Sequence, residues 1–330
     1  MEQHAVYREL SKKLMLEHSK ILPRIWESVC SLEETKLLDL MPGTAEDLAA
    51  KTGRDLAAVS AMCESLFHKG AAFEAVKDGR RIFRMPRHII QFHDASILWR
   101  EAPPEMIRLW VEFMDTEFRQ IPELATAAGL PAFMRIIPIG ESLETRTRIL
   151  AYEDAARMIE EASAIAVVDC TCRKSHKHCD KPVEVCLQLN RGAEYTRKRG
   201  TGRMIDKKEA MAILRLSEDA GLVHATENKG GSLNVLCNCC TCCCEMMRFA
   251  KNDKTKGVIA PSRFLASVRA DACTSCGACV DVCPMGSIAL EGDGPARVDE
   301  SCIGCGLCAH SCPAQAVILT ETRPESFIPA

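Results

Sequence analysis

Hydrophobic positions in the N-terminal third recur at helical spacing. In "TAEDLAAKTGRDLAAVSAMCESLFHKG" (from Thr44), Leu56, Val59, Met62, Cys63, Leu66 and Phe67 define one greasy face. Thr44 and Asp47 form a capping pair before a short helix, Gly53 marks the turn, and Gly70 ends the second helix. Two strand-like runs flank Asp78-Gly79, a hairpin signal. After Pro104, Ile107, Trp110, Val111, Met114 and Phe118 predict another amphipathic helix, with Trp99 and Trp110 as packing residues. "AFMRIIPIGESLE" reads as strand and loop, and "YEDAARMIEEA" as a helix leading into a buried strand at 164–168. "DKKEAMAILRLSEDAGLVH" predicts a helix of about four turns, begun by Asp206 and Glu209 and closed by Gly221, then a short strand at 222–224. Two further apolar segments, 287–290 and 316–319, are expected to pair with each other, and the last ten residues to be a loose tail.

These elements predict an α+β multidomain chain. Residues 1–95 hold an N-terminal helical domain with a hairpin, 96–261 a linker helix and a central small α/β cysteine-rich module, and 262–330 a separate tail. The order helix, turn, helix, hairpin over about residues 30–90 resembles winged-helix domains. Charge argues against DNA as its partner. Residues 31–94 carry nine Lys or Arg and ten Asp or Glu, and the helix Asp55 to Lys69 is poor in outward positive charge. Arg80, Arg81, Arg84 and Arg87 cluster at the wing, too few for a regulator. Protein docking or dimerisation through this domain is the expectation.

Composition adds one decisive fact. The chain has 330 residues, of which 47% are apolar and 26% charged, and 20 are cysteine. No stretch reaches the ~18 uncharged apolar residues of a membrane span. The opening "MEQHAVYREL" is charged and lacks a secretory pattern, so a cytoplasmic protein with free thiols is expected. Neighbours such as Cys239 and Cys240 could not bridge without strain. Cys30 and Cys63 read as core residues; the other eighteen point to metal or redox chemistry.

Eight of them lie in an internal repeat. "CTSCGACVDVCP" from Cys273 and "CIGCGLCAHSCP" from Cys302 both read C-x2-C-x2-C-x3-C-P, 29 residues apart. A tight loop of this spacing arranges three thiolates around one cluster while its N–H groups turn toward the sulfurs. Paired zinc knuckles lack the triplet and the trailing Cys-Pro. Over about residues 262–320 the chain resembles the bacterial dicluster ferredoxins. The resemblance implies two [4Fe–4S] clusters whose fourth ligand crosses between motifs. One would take Cys273, Cys276, Cys279 and Cys312, the other Cys302, Cys305, Cys308 and Cys283. From Asp271 onward eight acidic residues face two arginines, which suits docking onto a basic partner.

Ten more cysteines fall in two stretches, "CTCRKSHKHCDKPVEVC" (Cys170, Cys172, Cys179, Cys186) and "CNCCTCCC" (Cys237, Cys239, Cys240, Cys242, Cys243, Cys244). The predicted helix between them could fold one onto the other. Ten thiolates exceed the four of a single cubane, leaving one further cluster with spare cysteines, two clusters or a larger assembly. Alternation would turn Cys237, Cys239 and Cys242 inward and Cys240, Cys243 and Cys244 elsewhere. The CxCR segment and the "CNCC…CCC" run ahead of a ferredoxin tail are similar to those of a broad set of anaerobe iron–sulfur proteins. That resemblance, over about 130–320, implies cluster binding and no particular reaction. Zinc is the alternative metal, since both want soft sulfur. His176 and His178 are expected to be solvated rather than ligands. From Arg173 to Arg215 twelve Lys or Arg stand against five Asp or Glu, densest at "TRKRGTGR" (196–203). That charge could stabilise an anionic cluster or hold an anion, or be a solvated loop.

No nucleotide-binding fingerprint, Ser/His/Asp set or paired carboxylates stands out, so no catalytic residue is assigned. The sequence reads as an iron–sulfur electron carrier, a redox subunit serving an oxidoreductase such as a flavoprotein. Two alternatives remain: an enzyme working at a cluster in the basic central module, and a redox-sensing regulator that binds DNA.

Overall fold

A computed structural model of the chain describes residues 2–140 and 154–329. These fall into two compact units, Met1–Arg119 with Arg199–Thr201, and Gln120–Lys198 with Gly202–Ala330.

The first unit is helical. It contains α1 (Glu2–Lys13), α2 (Leu22–Val29), α3 (Leu32–Asp39), α4 (Ala45–Thr52), α5 (Leu56–His68), α6 (Ile89–Ile97) and α7 (Pro104–Asp115), with a hairpin of β1 (Phe73–Lys77) and β2 (Arg80–Arg84). Thr44 and Asp47 form a reciprocal capping box at α4, and Gly53 ends it at φ 66°. Lys77 pairs with Arg80 across Asp78-Gly79, both at positive φ, as a two-residue hairpin turn requires. Two patterns are displaced from the expected ones. Leu56 is exposed, because α5 buries Val59, Cys63, Leu66 and Phe67. In α7 the buried stripe is Met106, Leu109, Trp110, Phe113 and Met114; Ile107 and Val111 flank it, and Phe118 is buried beyond the helix end. Trp26 stacks on Phe92 at 3.8 Å, Trp110 meets Phe92 edge-on, and the Trp110 indole N–H donates to Ser96 Oγ at 2.9 Å.

In the second unit α8 (Gln120–Ala127) precedes a seven-stranded sheet. Its elements are β3 (Met134–Ile137), α9 (Ala155–Glu161), β4 (Ile165–Asp169), α10 (Thr171–His176), β5 (Glu184–Leu189), α11 (Arg191–Arg199), β6 (Arg203–Met204), α12 (Lys207–Asp219), β7 (Val223–Glu227), β8 (Val235–Cys239), α13 (Glu245–Ala250) and β9 (Ile259–Ala260). The order is β6-β4-β5-β8-β7-β3-β9, antiparallel throughout except β3 with β9. This is wider than the small layer expected, because β5, β6, β8 and β9 join the three strands predicted at β3, β4 and β7. Parts of the predicted loop after β3 and of the helix start at Tyr152 lie outside the described residues.

Strand alternation gives the sheet two apolar faces. One carries Ile137, Val167, Val185, Leu187 and Leu236 against α9 and α12. The other carries Met134, Ile136, Val223, Ala225 and Cys239 against α13 and the tail residues Cys305 and Leu307. Asp206 caps α12 by accepting from the Glu209 N–H at 2.7 Å, and Gly221 follows it at φ 64°.

The tail contains β10 (Phe264–Val268), α14 (Ala278–Asp281), β11 (Ile288–Ala289), β12 (Arg297–Val298), α15 (Leu307–His310) and β13 (Val317–Glu321). The two apolar segments do not pair with each other. β11 pairs with β12, which follows it closely, whereas β13 pairs with β10 from before the first repeat, so the strand after the second motif closes across both repeats. The C-terminal residues are tied down rather than loose. Thr322 and Arg323 donate backbone N–H groups to Arg263 O, Ile328 is buried, and Pro329 O accepts from Gly230 N at 2.7 Å.

Candidate metal and cluster centres

The two tail motifs have the same backbone. Ser275, Gly277 and Gly286 hold positive φ in the first repeat, and Gly304, Gly306 and Gln315 do so 29 residues later. These left-handed residues coil each loop tightly enough for three thiols to converge. The fourth cysteine of each motif accepts an N–H at 3.3 Å from the fourth residue after it, Ser287 to Cys283 and Ala316 to Cys312. Such bonds stabilise negative sulfur, which suits a thiolate ligand.

The cavity in the first loop is lined by Cys273, Cys276 and Cys279, and its fourth thiol is Cys312 of the other motif. Cys279 is pushed up by burial and by the neighbouring Cys312, Cys273 and Cys276. In the second loop burial pushes Cys305 up to about 12, with Cys302 and Cys283 beside it. Thiols so desolvated ionise only when a positive centre compensates them, so the donor sets fit iron–sulfur clusters. Cys276 is exposed, whereas Cys305 and Cys308 are buried.

Gly304 shows how closely the second loop is held. A Cβ there would collide with Phe264 O and Ser262 Oγ, and Ser262 Oγ already donates to Gly304 O at 2.8 Å. Gly304→Ala should therefore cut iron by up to about four per chain. Gly286→Ala, at φ +70° with no neighbour within 4 Å, should cost only about 1–2 kcal/mol and keep its iron. Iron analysis and thermal unfolding of the two variants check this contrast.

The ten central cysteines separate into two sets. Cys237 and Cys239 point to the tail side of the sheet, and Asn238 between them to the other. Cys239 neighbours Cys237 and Cys244, and Cys244 also neighbours Cys172. Cys172 in turn neighbours Cys170, which follows β4 and caps α10. On the helix side, the turn after β8 brings Cys240, Cys242 and Cys243 to Cys179, which lies between α10 and β5. The expected inward and outward split is thus different: Cys240, Cys242 and Cys243 converge, and Cys244 joins Cys239. Regular alternation ends with β8, so the turn after it follows no strand rule. Cys186 sits on β5, where Gln188 Nε2 donates to its sulfur at 3.5 Å.

Arg173 stands between the sets. It is 2% exposed and donates to Pro182 O at 2.8 Å, Asn238 O at 2.9 Å and Cys240 Sγ at 3.7 Å, while its Nη2 has no hydrogen-bond partner. A buried guanidinium beside thiols needs negative charge. Burial opposes ionisation of Cys240, but the Cys243 N–H and Arg173 outweigh it and lower the thiol to about 6. Burial pushes Cys242 up to about 11.

Sequence reasoning missed the polar frame. Asn238 bonds His224 Nδ1 through its side-chain oxygen at 2.6 Å and donates to Val185 O at 2.6 Å, pinning β8 between its neighbours. His176 is buried against Glu245 at 2.5 Å, not solvated, whereas His178 is exposed. The "TRKRGTGR" segment runs from the last turn of α11 into β6, and its charges are partly paired: Arg197 with Glu194, and Arg203 with Glu184 and Glu209.

Residues 265–313 match the family described as 4Fe-4S dicluster domain. A probable ferredoxin of Methanosarcina thermophila is 55% identical over 38 residues, 12% of this chain and 66% of that protein, just under two thirds of its length. No solved structure matches the chain. The C-terminal region is therefore a 4Fe–4S dicluster ferredoxin domain, and no helix among the described residues is long and apolar enough to cross a membrane.

Proposed function

We propose that the chain is a multi-cluster electron-transfer protein, a redox subunit for an oxidoreductase such as a flavoprotein, with a third iron–sulfur centre in the central module. One observation carries the reading. Cys239 and Cys244 share a buried core with Cys305 of the dicluster domain, and Ile139 N donates to Cys305 O at 3.0 Å. When loaded, iron–sulfur centres take up and release single electrons. The chain's own work is to hold the thiols, exclude water around Cys239, Cys244 and Cys305, and place Arg173 beside the central set.

In this reading Cys273, Cys276, Cys279 and Cys312 hold one tail cluster and Cys302, Cys305, Cys308 and Cys283 the other. Cys170, Cys172, Cys237, Cys239 and Cys244 supply the third centre. Exposed Cys276 marks the outer end, where the acidic tail meets a basic partner. The winged-helix reading of the N-terminal unit assigns it to docking or self-association.

Protein purified without oxygen should contain about twelve irons and matching acid-labile sulfide per chain. Eight irons would leave the dicluster domain intact and remove the third centre. Turnover of a substrate by the isolated chain would replace the carrier reading with an enzyme. Sequence-specific DNA binding that changes on oxidation would replace it with a regulator.

A further inference from the structure

We infer that Cys179, Cys240, Cys242 and Cys243 form a closed mononuclear zinc site, distinct from the cluster centre on the other face of the sheet. The separation of their sulfurs is the first argument. Cys179 Sγ lies 3.9 Å from both Cys240 Sγ and Cys243 Sγ, and Cys242 Sγ lies 3.9 Å from Cys243 Sγ. All four sulfurs are within 4.8 Å of one another. A tetrahedron with zinc–sulfur bonds of about 2.3 Å has edges of about 3.8 Å. A cubane hangs each thiolate on a different iron, so its four sulfurs must stand farther apart. The molecule supplies its own comparison: among the described residues, neither the eight tail cysteines nor the Cys170, Cys172, Cys237, Cys239 and Cys244 set forms a group this tight.

Placement is the second argument. Cys240 and Cys243 belong to the helix-covered face, away from the core shared by Cys239, Cys244 and Cys305. An ion there is off the path to the tail, which suits redox-inert zinc. Three ligands come from one turn and the fourth from a loop 61 residues earlier, so the ion would staple the two cysteine stretches together. The surroundings fit a tetrathiolate site with excess negative charge. The His178 N–H donates to Cys243 Sγ at 3.3 Å, and the buried Arg173 faces Cys240.

This inference deepens the central-module reading by assigning four of its cysteines to a second metal. Its test uses the full chain purified without oxygen. X-ray absorption at the zinc edge should show about one zinc per chain with four sulfurs at about 2.3 Å and no lighter ligand. Cys242→Ser should lose that zinc and keep all iron and sulfide. Three results would overturn the assignment: no zinc in the unmodified chain, joint loss of iron and sulfide in Cys242→Ser, or loss of one iron without sulfide. The edge measurement needs no variant, so a misfolded mutant cannot hide the answer. Zinc present with only eight irons would sink the third cluster and leave this site standing; twelve irons without zinc would do the reverse.

Discussion

Cys276→Ser combined with Cys312→Ser should remove about four irons per chain, no more than either change alone. The cavity of the first loop explains why. Cys273, Cys276 and Cys279 line it, and the thiol completing the set is Cys312 from the second motif. Cys283, the last cysteine of the first motif, instead neighbours Cys302 and Cys305. Two substitutions in one ligand set cost one cluster, whereas substitutions in separate sets cost two. Cys305→Ser with Cys312→Ser should therefore strip about eight irons. Iron and sulfide analysis, with EPR of the reduced protein, separates the cases without assigning either signal beforehand. An uncrossed arrangement gives the opposite pattern: about eight irons lost from the first pair and about four from the second. That reversal would refute the crossed assignment.

The sequence was most informative where chemistry forces spacing. Both tail motifs were visible because a loop that wraps a cluster allows little freedom, and the same left-handed positions recur at Ser275 and Gly304 and at Gly277 and Gly306. Caps such as Thr44 with Asp47, and the hairpin at Asp78-Gly79, are local and equally readable. What failed was non-local. The apolar segments at 287–290 and 316–319 are each self-consistent strands, but partner choice depends on Arg297-Val298 and Phe264–Val268, which carry no signal of their own. Nor could the central cysteines be sorted by eye. Cys237 and Cys239 obey strand alternation, and then the chain leaves β8, so Cys240 passes to the opposite face. His176 looked solvated among lysines because its partner, Glu245, is 69 residues away.

The sheet itself predicts the other large effect. Cys172→Ser with Cys244→Ser should remove about four irons per chain while leaving both tail clusters and the zinc in place. Cys244 is the junction of its set, beside Cys172 and Cys239, and it lies in the core that reaches Cys305. Cys179, Cys240, Cys242 and Cys243 lie with the α9 and α12 face; Cys172 also packs against that face, but neither substituted thiol is one of the four, so the proposed zinc should be retained. The tail loops close within the tail, through the β11–β12 and β10–β13 pairs, with the Cys283 and Cys312 sulfurs held by N–H groups of the tail. Both changes remove buried sulfur and can lower stability, so metal content should be read on chains whose helical circular dichroism is retained. Iron, sulfide and zinc are then counted on one preparation, with redox titration of the tail signals alongside. Unchanged iron would show that this set holds no cluster. Loss of zinc with the iron kept would move the zinc to the tail-facing set and break the division of the cysteines between the two faces.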